Sequence, residues 1–279
     1  MPASRLAVAE ASRLPNPAAN TASRNSCNQI AAPPLLCLLG SSSVATINST
    51  PFTLSTPRTQ FSPRTLAELT IGFTAIMVVL WLPTHEQLIF GPIALLTPLA
   101  LVLSQRPSLR ELGLDWRGLV SSLWILPAAA VIAAAGILAA RAAGTFHALD
   151  KPDLANVGGY VLWTIYQQFL LQDYFMPRLT RLLKTDAAIA FASVLFAVAH
   201  LPNVALAAAT LVWGAISCAL FRRYRSLVVL GIAQGLLGLC FAVCVPDAFL
   251  HHMRVGLGYW HYHPPVAGHY AEYHGTAGK

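Results

Sequence analysis

Four patterns in this chain set groups able to do chemistry inside or beside apolar sequence. The first is YQQFLLQDYFMPRL, which carries Gln167, Gln168, Gln172 and Asp173. The second is FAVAHLPN, with Phe196 and His200, and the third is GIAQGLLG, with Gln234 and Gly238. The fourth is a tail from Pro246 onward that holds His251, His252, His261, His263, His269 and His274. An imidazole or a carboxyl group can take and return a proton near neutral pH. A glutamine amide cannot, but it donates and accepts hydrogen bonds and so can grip a peptide carbonyl. Histidine clusters such as the tail's can bind Zn, Cu or Ni. The plainer account of the tail is a segment without fixed structure, or one lying at the headgroups with Tyr259, Trp260 and Tyr262.

Helical geometry sorts the first three patterns. At roughly 100° per residue, Gln168 and Gln172 share a face and Gln167 sits one step aside. Asp173 projects about 140° away from Gln168 on an ideal helix and is expected to face elsewhere. Phe196 and His200 stand at i, i+4, as do Gln234 and Gly238, so each pair lies along one helix face.

The elements that must hold these groups are membrane helices. The chain is 56% hydrophobic and 10% charged, with a mean hydropathy of +0.58. Soluble domains carry about 25% charged residues, so lipid is the expected solvent. Seven apolar stretches run over 66–82, 88–103, 118–140, 159–176, 187–201, 204–221 and 227–245. They are long, Leu- and Ala-rich and without period-two alternation, which makes barrel strands a poor alternative. The fold expected is therefore all-α, a polytopic transmembrane bundle of about seven spans. The fifth stretch is short for a bilayer core that takes about 20 helical residues.

Basic residues alternate between the loops. Arg106, Arg110 and Arg117 lie between stretches two and three, Arg178, Arg181 and Lys184 between four and five, and Arg222, Arg223 and Arg225 between six and seven. The intervening loops hold few or none. The positive-inside rule then sets the N-terminus in the cytoplasm, in what is expected to be a bacterial inner membrane. The net charge of +7 is explained by these loop clusters, and no nucleic-acid partner is expected. Residues 1–64 are rich in Ala, Ser, Pro, Asn and Thr, a composition expected to form a disordered arm. Residues 65–246 form the membrane domain and 247–279 the His-rich tail. Cys240 and Cys244 lie four apart and read most simply as packing residues.

The three intramembrane patterns resemble the CPBP family of intramembrane proteases, which includes the CAAX prenyl proteases of the Rce1 type and bacteriocin self-immunity proteins. The family pattern is EExxxR on one span, FxxxH on the next, and HxxxN or similar two spans later. Here QQFLLQ at 167–172, FAVAH at 196–200 and QGLLG at 234–238 occupy the same order and spacing. LRELGL at 109–114, Leu201-Pro202-Asn203 after His200, and the WGxxxxxLFRRYRSL approach to the third motif are also similar. The resemblance covers roughly residues 65–246. It implies an endopeptidase class, a substrate that is a membrane peptide or lipidated protein, and a water held by the motif residues, in one account through a divalent metal such as zinc.

By the same resemblance, Gln167, Gln168, Gln172, Phe196, His200, Gln234 and Gly238 occupy the catalytic positions. Only Phe196 and His200 keep the family residue. The paired glutamates are Gln167 and Gln168, the arginine is Gln172, the third-motif histidine is Gln234, and the asparagine is Gly238. Neutral amides supply no general base near pH 7. One remaining histidine does not make the three-ligand set of a catalytic zinc. A substrate groove that has lost its chemistry is therefore one expectation, and a peptide-cleaving enzyme the other. A third is a small transporter or metal-handling protein, although no pair of broken helices supports it. In all three, Gln168, His200 and Gln234 are expected to line one cavity. The simpler alternative is that they only bond helix to helix.

Overall fold

The computed structural model describes residues 62–148 and 154–262. Every regular element among them is a helix, and none is a strand. Helix α1 spans Pro63–Leu80, α2 Thr84–Leu103, α3 Trp116–Ser122 and α4 Ile125–Ala143. Helix α5, Leu154–Phe169, continues through a π-helical turn, Leu170–Phe175, into α6, Met176–Leu182. Helix α7 spans Thr185–Val198, α8 Val204–Tyr224 and α9 Leu227–Cys244. Two short helices follow, α10 over Asp247–Leu250 and α11 over Leu257–Trp260.

Local sequence sets the helix ends. The Ser62 hydroxyl accepts from Thr65 N, with Pro63 pre-set for the first turn of α1. Asp115 caps α3 through Arg117 N. Asn203 caps α8 by accepting from Leu206 N at 3.1 Å. The expected third stretch is the α3–α4 pair, and the expected short fifth stretch is α7.

Large aliphatic side chains face outward. Ile71, Leu88, Val131, Leu138, Leu162 and Val204 are all exposed, and an apolar surface of that extent needs lipid to cover it. Small residues face inward: Ala188, Ala192, Ser217, Cys218 and Ala233 are fully buried. Helices in lipid pack through such residues because backbones can then approach closely. Among the described residues, five helical segments are long and apolar enough to cross a membrane: Pro63–Trp81, Thr84–Leu103, Trp116–Ala143, Val204–Tyr224 and Leu227–Cys244. The chain is a polytopic helical membrane protein.

Three packings place the site. Helix α9 lies against both α4 and α5, and α7 lies along α8. The α5–α9 contact is tight at Gly231, whose missing side chain makes room for the Ile165 backbone. The Thr164 hydroxyl there donates to Gly231 O at 2.8 Å. At the α7–α8 contact, Gly214 sits against Ser193.

An ion pair between the buried Arg178 and the half-buried Glu68, which also accepts from Arg64 Nε, ties α1 to α6. Arg178 Nε donates to Glu68 Oε2 at 2.9 Å, and Arg178 Nη1 donates to Tyr174 O at 2.9 Å. The guanidinium lies 4.0 Å from the centroid of the Tyr174 ring, and the Tyr174 hydroxyl donates to Glu68 O. Arg178 is only 2% exposed. It is thus a structural partner within the bundle, whereas Arg181 and Lys184 are the exposed basic residues of that loop.

Candidate functional site

The first motif straddles a change of helix type. Gln167 and Gln168 end α5, whereas Gln172 and Asp173 lie in the π-helical turn. Such turns are inserted residues that re-aim side chains and often mark sites. Gln168 and Gln172 still meet across one turn, as their spacing predicts: Gln172 Nε2 donates to Gln168 Oε1 at 3.1 Å.

The third motif joins them directly. Gln168 Nε2 donates to Gln234 Oε1 at 2.6 Å, and Gln234 Nε2 donates to Gln167 Oε1 at 2.5 Å. The Trp213 indole N–H from α8 also donates to Gln234 Oε1, at 3.1 Å. An indole nitrogen can only donate, so it fixes which end of the Gln234 amide is oxygen. The direction of every other amide follows. Gln172 gives to Gln168, Gln168 to Gln234, and Gln234 to Gln167. At the start of the chain, Gln172 Nε2 also reaches Ser217 Oγ at 3.4 Å. The Gln234 oxygen accepts twice and has no lone pair left to offer.

His200 sits just past the end of α7 and is held by its own helix. Its Nδ1 lies 2.6 Å from Phe196 O, and its ring meets the Phe196 ring edge-on at 4.9 Å between centroids. A carbonyl only accepts, so Nδ1 carries the proton and Nε2 keeps a lone pair. The interhelical bond expected of His200 is therefore replaced by one to the preceding turn. Phe196 supplies both its carbonyl and its ring, which gives this two-residue motif its spacing.

One cavity of about 800 Å³ collects most of these residues. Its lining includes Gln167, Phe196, His200, Trp213, Gln234 and Gly238. Gln168, expected on the cavity, instead stands behind this wall, where it donates to Gln234 and accepts from Gln172. The structure thus joins the four glutamines in one hydrogen-bonded chain and sets His200 on the same cavity without a bond to any of them. Asp173 is buried, is not part of the cavity wall, and leaves Oδ2 without a hydrogen bond among the described residues.

Sequence reading did not reach Trp213 as an amide partner, because nothing local links it to Gln234. Nor did it reach Tyr160, whose hydroxyl fills the space beside Gly238: a Cβ added there would overlap it.

The zinc or other divalent metal implied by the resemblance does not fit these donors. Among the described residues no group of three or more His, Cys, Asp or Glu converges. The amide oxygens of Gln234, Gln168 and Gln167 already accept hydrogen bonds from within the chain of glutamines. His251, His252 and His261 of the tail are among the residues searched, whereas His263, His269 and His274 lie outside the described residues, as do residues 1–61.

Bundle and cavity together define a polytopic membrane protein with an internal amide-lined site. The family model described as Type II CAAX prenyl endopeptidase Rce1-like matches residues 60–240. That is well over half of the 279 residues, and the chain belongs to this family. No curated protein matches the chain, and no solved structure does.

Proposed function

We propose that this protein is a non-hydrolytic member of its family that binds a membrane peptide, or the membrane-inserted end of a lipidated protein, in the cavity beneath His200. The observation that carries this reading is the hydrogen-bonded chain of glutamines. Where proteolysis needs a base that activates water, four neutral amides bond to one another. What remains turned to the cavity suits binding. Gln167 Nε2 has no partner among the described residues and can donate to a peptide carbonyl, and His200 Nε2 can accept from a peptide N–H. The rest of the lining is largely apolar, as for Phe73, Ile125, Ala129, Leu171 and Leu237.

A second reading keeps hydrolysis, with His200 as the sole base through its Nε2 lone pair. It is favoured by the orientation that Phe196 imposes on the ring. It calls for a partner group that would hold the attacking water against that nitrogen.

The orientation we propose sets the N-terminal end of α1 in the cytoplasm. The helix ends support it. Arg225 Nη2 donates to Glu111 O, and Leu227 N to Gly113 O, so the basic loops around Arg110, Arg117, Arg222 and Arg223 share one face. An export-active reporter is expected to work when fused at Thr84 and to fail at Arg223.

Binding is tested by filling the cavity. Full-length protein in lipid nanodiscs is mixed with an apolar transmembrane peptide carrying a photoreactive group at its centre. Crosslinks are expected at cavity residues, and Ala128→Trp, which enters the cavity from α4, should remove them. Equal crosslinking in that variant would show that the peptide sits elsewhere.

A further inference from the structure

The stretch matched by the family model ends at residue 240, but the folded chain does not. Residues 247–262 form a compact strap, and two of its side chains, Met253 and Val255, are part of the cavity wall. The strap is tied to the turn that follows His200. Asn203 Nδ2 donates to Leu250 O at 2.7 Å and to Arg254 O at 3.2 Å, and Gly256 N donates to Leu201 O at 2.9 Å. Asn203 is fully buried, and its side-chain oxygen caps α8. One amide therefore fixes the start of α8 and the strap at once.

The strap is also tied to itself. Asp247 accepts from His252 N at 2.7 Å and from the Tyr262 hydroxyl, so its two ends are cross-linked by one carboxylate. His251 stacks on the Tyr259 ring at 4.0 Å between centroids, and Arg254 lies over the Tyr262 ring. Gly256 passes against the end of α1: its φ of 55° is a left-handed value, and a Cβ there would overlap Leu80 O. Only glycine meets both conditions at no cost.

Backbone conformation shows that these ties act against a load. His251, His252 and Met253 have φ of 48°, 50° and 57°, three successive non-glycine residues in the left-handed region. Such residues persist only where surrounding contacts hold them. Here the surrounding contacts are the ties just described, and the segment they hold bears on the cavity.

We propose that residues 247–262 are a closing strap for the cavity, and that an occupant enters when the strap lifts from Leu201–Asn203 and from the end of α1. The strap makes Met253 and Val255 part of whatever surface selects the occupant. The inference rests on the binding reading above only for what enters, not for whether the cavity is covered.

Cys240 and Cys244 supply the reporters, since both line the cavity, whereas Cys218 is fully buried and outside its wall. Full-length protein in nanodiscs is treated with N-ethylmaleimide, and each cysteine is followed by mass spectrometry. Trypsin cleavage after Arg254 reports lifting of the strap in parallel. Gly256→Ala is expected to speed labelling of Cys240 and Cys244 by roughly tenfold, with Cys218 unchanged. Tyr262→Phe, which removes one tie without touching the backbone, should act in the same direction and less strongly. Faster cleavage at Arg254 with unchanged labelling of Cys240 and Cys244 would overturn the proposal, because the strap would then not cover the cavity. Faster labelling of all three cysteines in both variants would also overturn it, because the strap would then be a part of the fold that does not open separately. No change in any readout for either variant would mean that these ties do not hold it. A peptide that fails to bind leaves the labelling result untouched, so the two readings fail separately.

Discussion

Two polar clusters are buried in this bundle, and they handle the cost of burial in opposite ways. Between α1 and α6, Glu68 and Arg178 stay charged and pair. Between α5, α8 and α9, the motif positions hold four glutamines that pair without any charge. A buried ion pair must be complete, because removing one member leaves the other charge without water or partner. An amide chain loses only hydrogen bonds when it is cut. The ionic cluster therefore reads as architecture, and the neutral cluster as part of the binding site we propose.

Breaking the ionic cluster should have the largest effect. Glu68→Gln leaves the buried Arg178 without its counter-charge, and is expected to destabilise the bundle by about 3 kcal/mol, the low end of the range for a fully buried pair. Thermal unfolding in detergent measures this. A loss no larger than that from cutting the amide chain would erase the contrast between the clusters.

Restoring the family's asparagine comes next. Gly238→Asn drives a side chain into the Tyr160 hydroxyl, and overpacking of this kind costs about 1–3 kcal/mol. Tyr160→Phe removes the hydroxyl and should recover much of the loss. A double-mutant cycle without coupling would show that the two positions do not meet. Any attempt to rebuild the full family set, Gln167→Glu, Gln168→Glu, Gln172→Arg, Gln234→His and Gly238→Asn, therefore needs Tyr160→Phe as well.

Cutting the amide chain at its centre should cost less. Gln234→Leu strands Gln168, Gln167 and Trp213, yet interhelical hydrogen bonds in membranes are worth roughly 1–2 kcal/mol at most. A loss as large as that expected from Glu68→Gln would show that the chain is a structural keystone.

The strap gives the smallest effect and one with a pH sign. Burial pushes the Asp247 carboxyl up, but hydrogen bonds from Tyr262 and His252 N, with the nearby His252 and His251, outweigh it and hold it below its ordinary value of 3.8. A depressed acid stabilises above its unfolded value and loses that contribution as pH falls through the folded one. The Asp247 tie should therefore be fully present at neutral pH and lost only below the ordinary aspartate range. Tryptic release at Arg254 from Asp247→Asn, compared with native protein at neutral pH, measures the tie. Equal release would show that the carboxylate carries none of the fastening.

Much of this was legible in the sequence, for physical reasons. Hydropathy exposes membrane helices because lipid demands long apolar runs, and α1, α2, α8 and α9 fall where the stretches do. The Gln168–Gln172 contact follows from one helical turn, and the joining of Gln234 to Gln168 is the helix-to-helix bonding that the sequence left open as the simpler alternative. Other features depend on the fold. Glu68 and Arg178 are 110 positions apart, and Arg178 looked like one more loop charge. The π-helical turn that carries Asp173 has no sequence signature, yet Asp173 stays outside the cavity wall and apart from the glutamine chain, as its helix angle predicts. The folded start of the tail depends on Asn203 and Gly256 finding distant backbone carbonyls, which hydropathy does not register.

The central claim is that the cavity persists without hydrolysis, and a single assay bears on it most directly. Purified full-length protein in lipid vesicles is incubated with a broad panel of membrane peptides, prenylated CAAX peptides included, beside His200→Ala, and products are read by mass spectrometry. The account predicts no cleavage by either protein. Clear turnover by the native chain that disappears in His200→Ala would contradict it, and would make His200 Nε2 the base of a working protease.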